Sequence, residues 1–300
     1  MASNVRINFL GTSAQIPTAK RNHSAILLNY KDENILVDCG EGTQRQFRKA
    51  KLNPCRITKI LITHIHGDHI FGLPGLISTL NFSGYNKELH IYGPKGFKKI
   101  IEEFLDLEHL KNDFKIKIQE VYGKFYESED FYIEAESMEH GIPTNAYNFV
   151  IKSKIRIDKA KLKKYKIKEG PFLKDLKQGK DIVYEGKKYK AKDLVYNEVG
   201  KKVSIVLDTL FNSKIKKFVE NADILICDSS FSSENNADAK EHLHLTAKQD
   251  GEIAKGAKVG KLILTHISQR YENNLKGLLN DAKTVFKNTV IAEDFSEFEI

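Results

Sequence analysis

Short apolar runs that end on a polar, potentially metal-binding side chain recur along this chain. The runs at 57–62, 204–207 and 261–264 are rich in Ile, Leu and Val, four to six residues long and flanked by polar positions, which predicts buried strands rather than helices. Further runs at 5–9, 25–29, 34–37, 88–92, 131–137, 147–151, 224–226 and 290–291 complete the predicted strands. A helix is expected to begin near Gly72-Leu73-Pro74-Gly75-Leu76, with proline in its first turn. No low-complexity linker and no short-period repeat interrupts the pattern. Strands interspersed with helices place the chain in the mixed α/β class.

The run at 57–62 leads into Thr63-His64-Ile65-His66-Gly67-Asp68-His69, which packs three imidazoles and a carboxylate into six residues. His64 and His66, two apart, are expected to point to the same side as the strand runs out, with Asp68 and His69 on the turn that follows. Imidazole nitrogens and carboxylate oxygens are what zinc takes at catalytic sites, and such a mixed set can serve two ions if more ligands arrive from elsewhere. His140 ends Ser137-Met138-Glu139-His140, Asp208 ends Ser204-Ile205-Val206-Leu207-Asp208, and His266 ends Lys261-Leu262-Ile263-Leu264-Thr265-His266. The parallel between Leu61-Ile62-Thr63-His64 and Ile263-Leu264-Thr265-His266 suggests two halves of related topology that present ligands on one rim.

Composition narrows the class. An apolar fraction of 41% over 300 residues supports an extensive core. No apolar run approaches the roughly 18 residues of a membrane span, and the N-terminus carries no signal-peptide pattern. Three cysteines, Cys39, Cys55 and Cys227, form neither paired spacings nor a Cys-x-x-Cys motif. A reducing cytoplasm and no structural zinc are therefore expected.

The net charge of +8 is concentrated. Residues 151–202 hold 18 Lys or Arg against 7 Asp or Glu, while the rest of the chain holds 30 against 33. A basic helix is expected over 155–168, a second over 172–178 and a hairpin over 183–189. Lysines in such numbers suit a polyanion, since they neutralise phosphates and release counterions.

These residues sit in motifs that resemble the metallo-β-lactamase superfamily and, within it, the tRNA 3′-processing ribonuclease Z group in its short form. The resemblance runs nearly end to end. It includes Phe9-Leu10-Gly11-Thr12-Ser13-Ala14 with Pro17 and Arg21-Asn22, Val37-Asp38-Cys39-Gly40-Glu41-Gly42, and the histidine cluster with Phe71-Gly72-Leu73-Pro74-Gly75-Leu76. It continues through His140-Gly141, Gly170-Pro171, Asp208-Thr209, Thr265-His266-Ile267-Ser268-Gln269-Arg270-Tyr271 and Asp294-Phe295. The histidine cluster alone marks the superfamily; the Gly-Leu-Pro-Gly-Leu and Thr-His-Ile-Ser-x-Arg-Tyr continuations mark the tRNA-processing branch.

The resemblance implies an αβ/βα four-layer sandwich over 1–300, with residues 150–202 as an inserted arm that grips tRNA. It implies that His64, His66 and His140 hold one zinc, that Asp68, His69 and His266 hold a second, and that Asp208 bridges them. Asp68 would also orient the attacking water. Where the family has His-Glu-Ala-Thr, this chain has Cys227-Asp228-Ser229-Ser230, so the general-acid dyad becomes His244 with Asp228. Asp is shorter than Glu by one methylene and must sit closer or reach through water. Leu207 and Leu210 around Asp208-Thr209 are further departures. Lys20, Arg21, Ser268 and Arg270 are the expected RNA- or phosphate-binding residues, since guanidinium pairs with phosphate through a planar fork. Precursor tRNA as substrate and a two-fold homodimer follow from the resemblance as well. The alternative is a hydrolase of small phosphodiesters or sulfate esters, which needs the same ligands but no basic arm.

Overall fold

Alternation along the strands resolves into faces. In Ala25–Tyr30, Ala25 and Leu27 join a core shared with helices, while Ile26 and Leu28 are equally buried on the other face. A strand covered on both sides reads as a continuous apolar run, and Ile224–Asp228 repeats this with all five residues buried.

The computed structural model describes residues 4–107 and 113–300. These form two compact units. The larger comprises residues up to Glu127 with Ile133–Phe149 and Lys202–Ile300; the smaller comprises Ser128–Tyr132 and Val150–Lys201.

The larger unit is built on two seven-stranded mixed sheets. The first runs, edge to edge, Glu297–Glu299, Arg6–Gly11, Ala25–Tyr30, Glu33–Val37, Lys59–Leu61, Leu89–Gly93 and Ile116–Glu120. The second runs Thr289–Ile291, Lys261–Thr265, Ile224–Asp228, Lys201–Val206, Pro143–Ile151, Phe131–Glu139 and Gly123–Glu127. Lys201–Val206 through Thr289–Ile291 are parallel neighbours, as are Glu33–Val37 through Ile116–Glu120, so each sheet sends several strand ends the same way. Between the sheets the Tyr30 and Phe149 rings meet edge to face at 5.7 Å, and the Tyr147 hydroxyl donates to the Ile62 carbonyl at 2.6 Å. Helices Thr43–Lys49, Leu73–Phe82 and Phe97–Leu107 cover the first sheet. Helices Ser213–Phe218, Ala247–Gly256 and Leu275–Lys283 cover the second. This is the helix–sheet–sheet–helix arrangement that the resemblance implied.

Among the described residues of the larger unit, three strands escaped the apolar pattern: Ile116–Glu120, Gly123–Glu127 and Glu297–Glu299. All three are sheet edges, half open to water and rich in Lys and Glu, so they carry little apolar signal.

The smaller unit has its own core of Leu162, Ile167, Leu176, Ile182, Ala191 and Leu194. The single basic helix expected over 155–168 is instead strand Lys154–Ile157 followed by helix Lys159–Lys164. Ile155 and Ile157 alternate as a strand requires, and the strand pairs antiparallel with Val195–Glu198. Asp158 then starts the helix by accepting the Lys161 N–H at 3.0 Å. Helix Leu173–Lys177 and the hairpin Ile182–Tyr184 with Lys187–Tyr189 lie where expected, the hairpin turning at Glu185 and Gly186, both with positive φ. Lys163, Lys164, Lys166, Lys168, Lys174 and Lys177 are all exposed.

Candidate active site

Strand ends from both sheets deliver the chemistry. Asp38 follows Glu33–Val37, His64 lies three residues past Lys59–Leu61, and His140 follows Phe131–Glu139. Asp208 lies two past Lys201–Val206, Asp228 closes Ile224–Asp228, and His266 follows Lys261–Thr265. Asp38, Asp208 and His266 sit in the left-handed region with φ of 58°, 48° and 56°. Such strain costs roughly 1–2 kcal/mol per residue and is held only where surrounding structure enforces it; here it turns each side chain off the strand line toward one point. The short helix Gly67–Ile70 carries Asp68 and His69 to the same place, with His66 at its N-cap.

The expected ligands converge in two groups. His64 Nε2 and His140 Nε2 lie 3.0 and 3.2 Å from His66 Nδ1, and 3.6 and 3.5 Å from Asp208 Oδ2. His69 Nε2 lies 3.2 Å from His266 Nε2, and Asp68 Oδ2 is 3.3 Å from both. Asp208 reaches both groups, with Oδ1 3.3 Å from His266 and Oδ2 3.6 Å from His69. A tetrahedral dication with bonds of about 2.0–2.1 Å spaces its ligands about 3.3 Å apart. The residues therefore fit metal. Asp208 Oδ1 supports this independently, because it is buried without a hydrogen-bond partner, an arrangement that a metal bond would satisfy.

Protonation preferences point the same way. Burial pushes His64, His66 and His140 below the ordinary imidazole value, leaving neutral rings with free lone pairs. Burial opposes ionisation of Asp68 and Asp208, yet the surrounding imidazoles outweigh it and hold both carboxylates well below their usual range. The same carboxylates, against burial, push His69 and His266 up. A bound cation would take the place of that proton.

Four of the five imidazoles are locked from behind through Nδ1. His69 is held by Asp38 Oδ2 at 2.7 Å, His64 by the Thr63 hydroxyl at 3.0 Å, and His140 by the Leu243 carbonyl at 3.0 Å. His266 is held by the Ser230 hydroxyl at 2.9 Å. These bonds fix the tautomer that leaves Nε2 free to ligate. Sequence reasoning gave Asp38 and Ser230 no role. Asp38 ends an apolar run just as Asp208 does, so the same signal was present for it.

His244 Nδ1 meets Asp228 Oδ2 at 2.7 Å, a direct bond without intervening water, so the shorter Asp228 is seated closer. Asp228 also lies 3.3 Å from His266 Nδ1 and accepts from the Ser230 hydroxyl at 2.6 Å, joining the dyad to the ligand set. Burial disfavours the His244 cation, but Asp228 and then Asp208 outweigh it and raise its proton affinity. His244 lines an open pocket of about 740 Å³ together with His66, Asp68, His140, Asp208 and His266, while His64 and His69 are fully buried behind it.

The expected RNA-binding residues part company. Ser268 and Arg270 line the pocket; the Arg270 guanidinium lies 5.0 Å from the Phe231 ring centre and pairs with Asp238 at 2.7 Å. Lys20 is exposed but does not line it. Arg21 is a correction. It is only 4% exposed and donates to the Thr12 hydroxyl and the Ala292 carbonyl, both at 2.7 Å. Its guanidinium braces the loop and offers no fork to phosphate. Residue spacing gives no warning of this, because Ala292 comes 271 positions later.

Residues 5–160 match the family model described as anti-Pycsar protein Apyc1. The chain is 38% identical to ribonuclease Z of Nanoarchaeum equitans over 293 residues, covering 98% of this chain and 92% of that one. It is equally identical to ribonuclease Z of Listeria monocytogenes over 304 residues, covering 97% and 98%. This chain belongs to the ribonuclease Z family. Its fold matches the crystal structure of human tRNase Z, short form, with a TM-score of 0.70 and 27% identity over 98% of each chain. The metallo-β-lactamase fold protein YhfI of Bacillus subtilis shares the fold, with a TM-score of 0.72 at 20% identity over 99% and 100%. As a member of the ribonuclease Z family the chain is a hydrolase of the endoribonuclease class. Among the described residues, no helix is long and apolar enough to cross a membrane.

Proposed function

We propose that this ribonuclease Z family member is a zinc-dependent endoribonuclease that removes the 3′ trailer from precursor tRNA, leaving a 3′ hydroxyl on the tRNA and a 5′ phosphate on the trailer. One observation carries the chemistry: the seven candidate ligand side chains converge in linked groups, five of them lining one pocket beside the Asp228–His244 pair. His64, His66 and His140 would hold one zinc, Asp68, His69 and His266 the second, and Asp208 would bridge. When bound, the two ions would polarise the scissile phosphate and acidify the attacking water.

Asp68 Oδ2, steadied by the Gln15 backbone N–H at 2.8 Å, orients that water and accepts its proton. His244 donates a proton to the departing 3′ oxygen, while Asp228 keeps the other ring nitrogen protonated and the ring in place. Ser268 and Arg270 sit where they can meet a phosphate next to the cut. Elemental analysis of protein purified without added metal should give close to two zinc per chain. Asp38→Ala should weaken zinc affinity roughly 10- to 100-fold by freeing the His69 ring. Full nuclease activity in metal-free wild type would end this reading of the site.

The smaller unit supplies substrate binding. Its excess of lysines gives affinity for an RNA backbone without reading sequence, which suits substrates that share a shape. The Gly200 N–H donates to the Ser153 hydroxyl at 2.9 Å, so residues 154–199 can be excised and the ends joined through a short glycine linker. Precursor tRNA cleavage should then fall steeply, and the slope of log affinity against log salt should flatten by roughly 0.7–0.9 for each phosphate that is no longer neutralised. Hydrolysis of bis(p-nitrophenyl) phosphate, which fills only the metal site, should persist. Undiminished tRNA cleavage by the deletion variant would favour the small-phosphodiester hydrolase instead.

The working assembly in this reading is a cytoplasmic two-fold dimer, with helix Leu73–Phe82 at the contact; Phe82 at its end is exposed. Light scattering at micromolar concentration should report twice the 34.2 kDa chain mass. A monomer alone would refute it.

A further inference from the structure

Two large apolar side chains lining the active-site pocket stand open to water: Phe71, 59% exposed, and Ile16, 47% exposed. Phe231, in the same pocket, is buried and already engaged, stacked nearly parallel to His242 (4° between planes) with Arg270 beside its ring. Phe71 is different. Its ring lies over Gly67, between the ligands His66 and Asp68; a Cβ at position 67 would come within 2.3 Å of the ring. The backbone beneath is fixed, because the Phe71 N–H donates to the Gly67 carbonyl at 2.9 Å and the Gly72 N–H donates to the Cys39 carbonyl at 2.8 Å. The ring also rests against Phe104, with centres 6.1 Å apart. A rigidly mounted aromatic left uncovered beside a phosphodiester site suits a flat, apolar partner.

We propose that Phe71 is the stacking platform for the first nucleobase of the trailer. This rests on the proposed tRNA-processing reaction. The proton for the departing 3′ oxygen comes from His244, so the nucleoside that leaves with that oxygen lies on the side of His244, Phe231 and His242. The water oriented by Asp68 comes in opposite that oxygen, and the phosphate stays with the trailer. The first trailer nucleotide leaves the phosphate through its own 5′ oxygen, away from His244 and toward the part of the pocket lined by Phe71 and Ile16. Phe71 and Ile16 flank that side: the Phe71 ring covers Gly67, and Ile16 adjoins Gln15, whose N–H holds Asp68. Aromatic stacking accepts any base, so the platform would position the trailer without demanding a sequence.

The test uses full-length zinc-loaded protein and three precursor tRNAs: one normal, one with an abasic first trailer nucleotide and one with an abasic discriminator nucleotide. Phe71→Leu keeps apolar bulk but removes the π face, and should lower kcat/KM on the normal precursor about 5- to 100-fold. Phe71→Tyr should stay close to wild type. The abasic-trailer precursor should cost wild type the same factor and cost Phe71→Leu nothing further. Equal abasic penalties in both proteins, a penalty that appears only when the discriminator base is removed, or a change in dimer mass in place of a change in cleavage would each overturn the proposal. The abasic-trailer arm on wild type needs no variant, so indifference there overturns it even if Phe71→Leu folds poorly. Failure of wild type to cut the normal precursor would instead defeat the tRNA-processing reading itself.

Discussion

Replacing Asp68 with alanine should abolish precursor tRNA cleavage, by about 10⁴-fold or more, while leaving tRNA binding intact. Loss of a general base alone reaches about 10⁴-fold at the upper end, and here a metal ligand is lost with it. Asp68 Oδ2 faces His69 and His266 at 3.3 Å and takes the Gln15 N–H at 2.8 Å, so in the proposed mechanism one carboxylate would serve ion, water and loop together. Binding survives because the lysines of the smaller unit are untouched. End-labelled precursor followed by gel shift and by mapping of cut ends separates the two. Residual cleavage within tenfold of wild type would remove Asp68 from the chemistry.

His244→Ala should slow cleavage about 10²- to 10⁴-fold, chiefly in kcat, because the ring contributes a proton in the transition state. A precursor whose scissile 3′ oxygen is replaced by sulfur, which leaves without protonation, should restore most of the lost rate. Asp228→Ala should differ. Asp228 braces His266 as well as His244, so this variant should lose zinc along with rate. Wild-type cleavage by His244→Ala would place the proton donor elsewhere, and failure of the sulfur substrate to rescue it would make the role of His244 structural.

Much of this architecture is written locally. A strand buried on both faces must be apolar throughout, so the runs at 204–207, 224–226 and 261–264 appear in one dimension, and the side chain that ends each run is visible beside it. The histidine cluster is equally local: four of its donor groups lie within six residues. The edge strands were illegible for the opposite reason, since a short half-solvated strand that places single apolar residues between Lys, Gln or Glu offers no continuous apolar run.

The amino-acid sequence by itself determined the α/β class, the histidines and aspartates that converge as candidate ligands, the pairing of His244 with Asp228, and the concentration of positive charge in 151–202. Each depends on residue type and short-range order, which the chain carries without folding. Tertiary structure alone decided what each polar group faces. It seated Asp228 directly against His244, put Asp38 behind His69, and folded Arg21 inward against Ala292, although all four expected RNA-binding residues are equally polar in the sequence. It also left Phe71 uncovered at the pocket while burying Phe231. Burial and hydrogen-bond partnership arise between residues tens to hundreds of positions apart, and no local pattern encodes them.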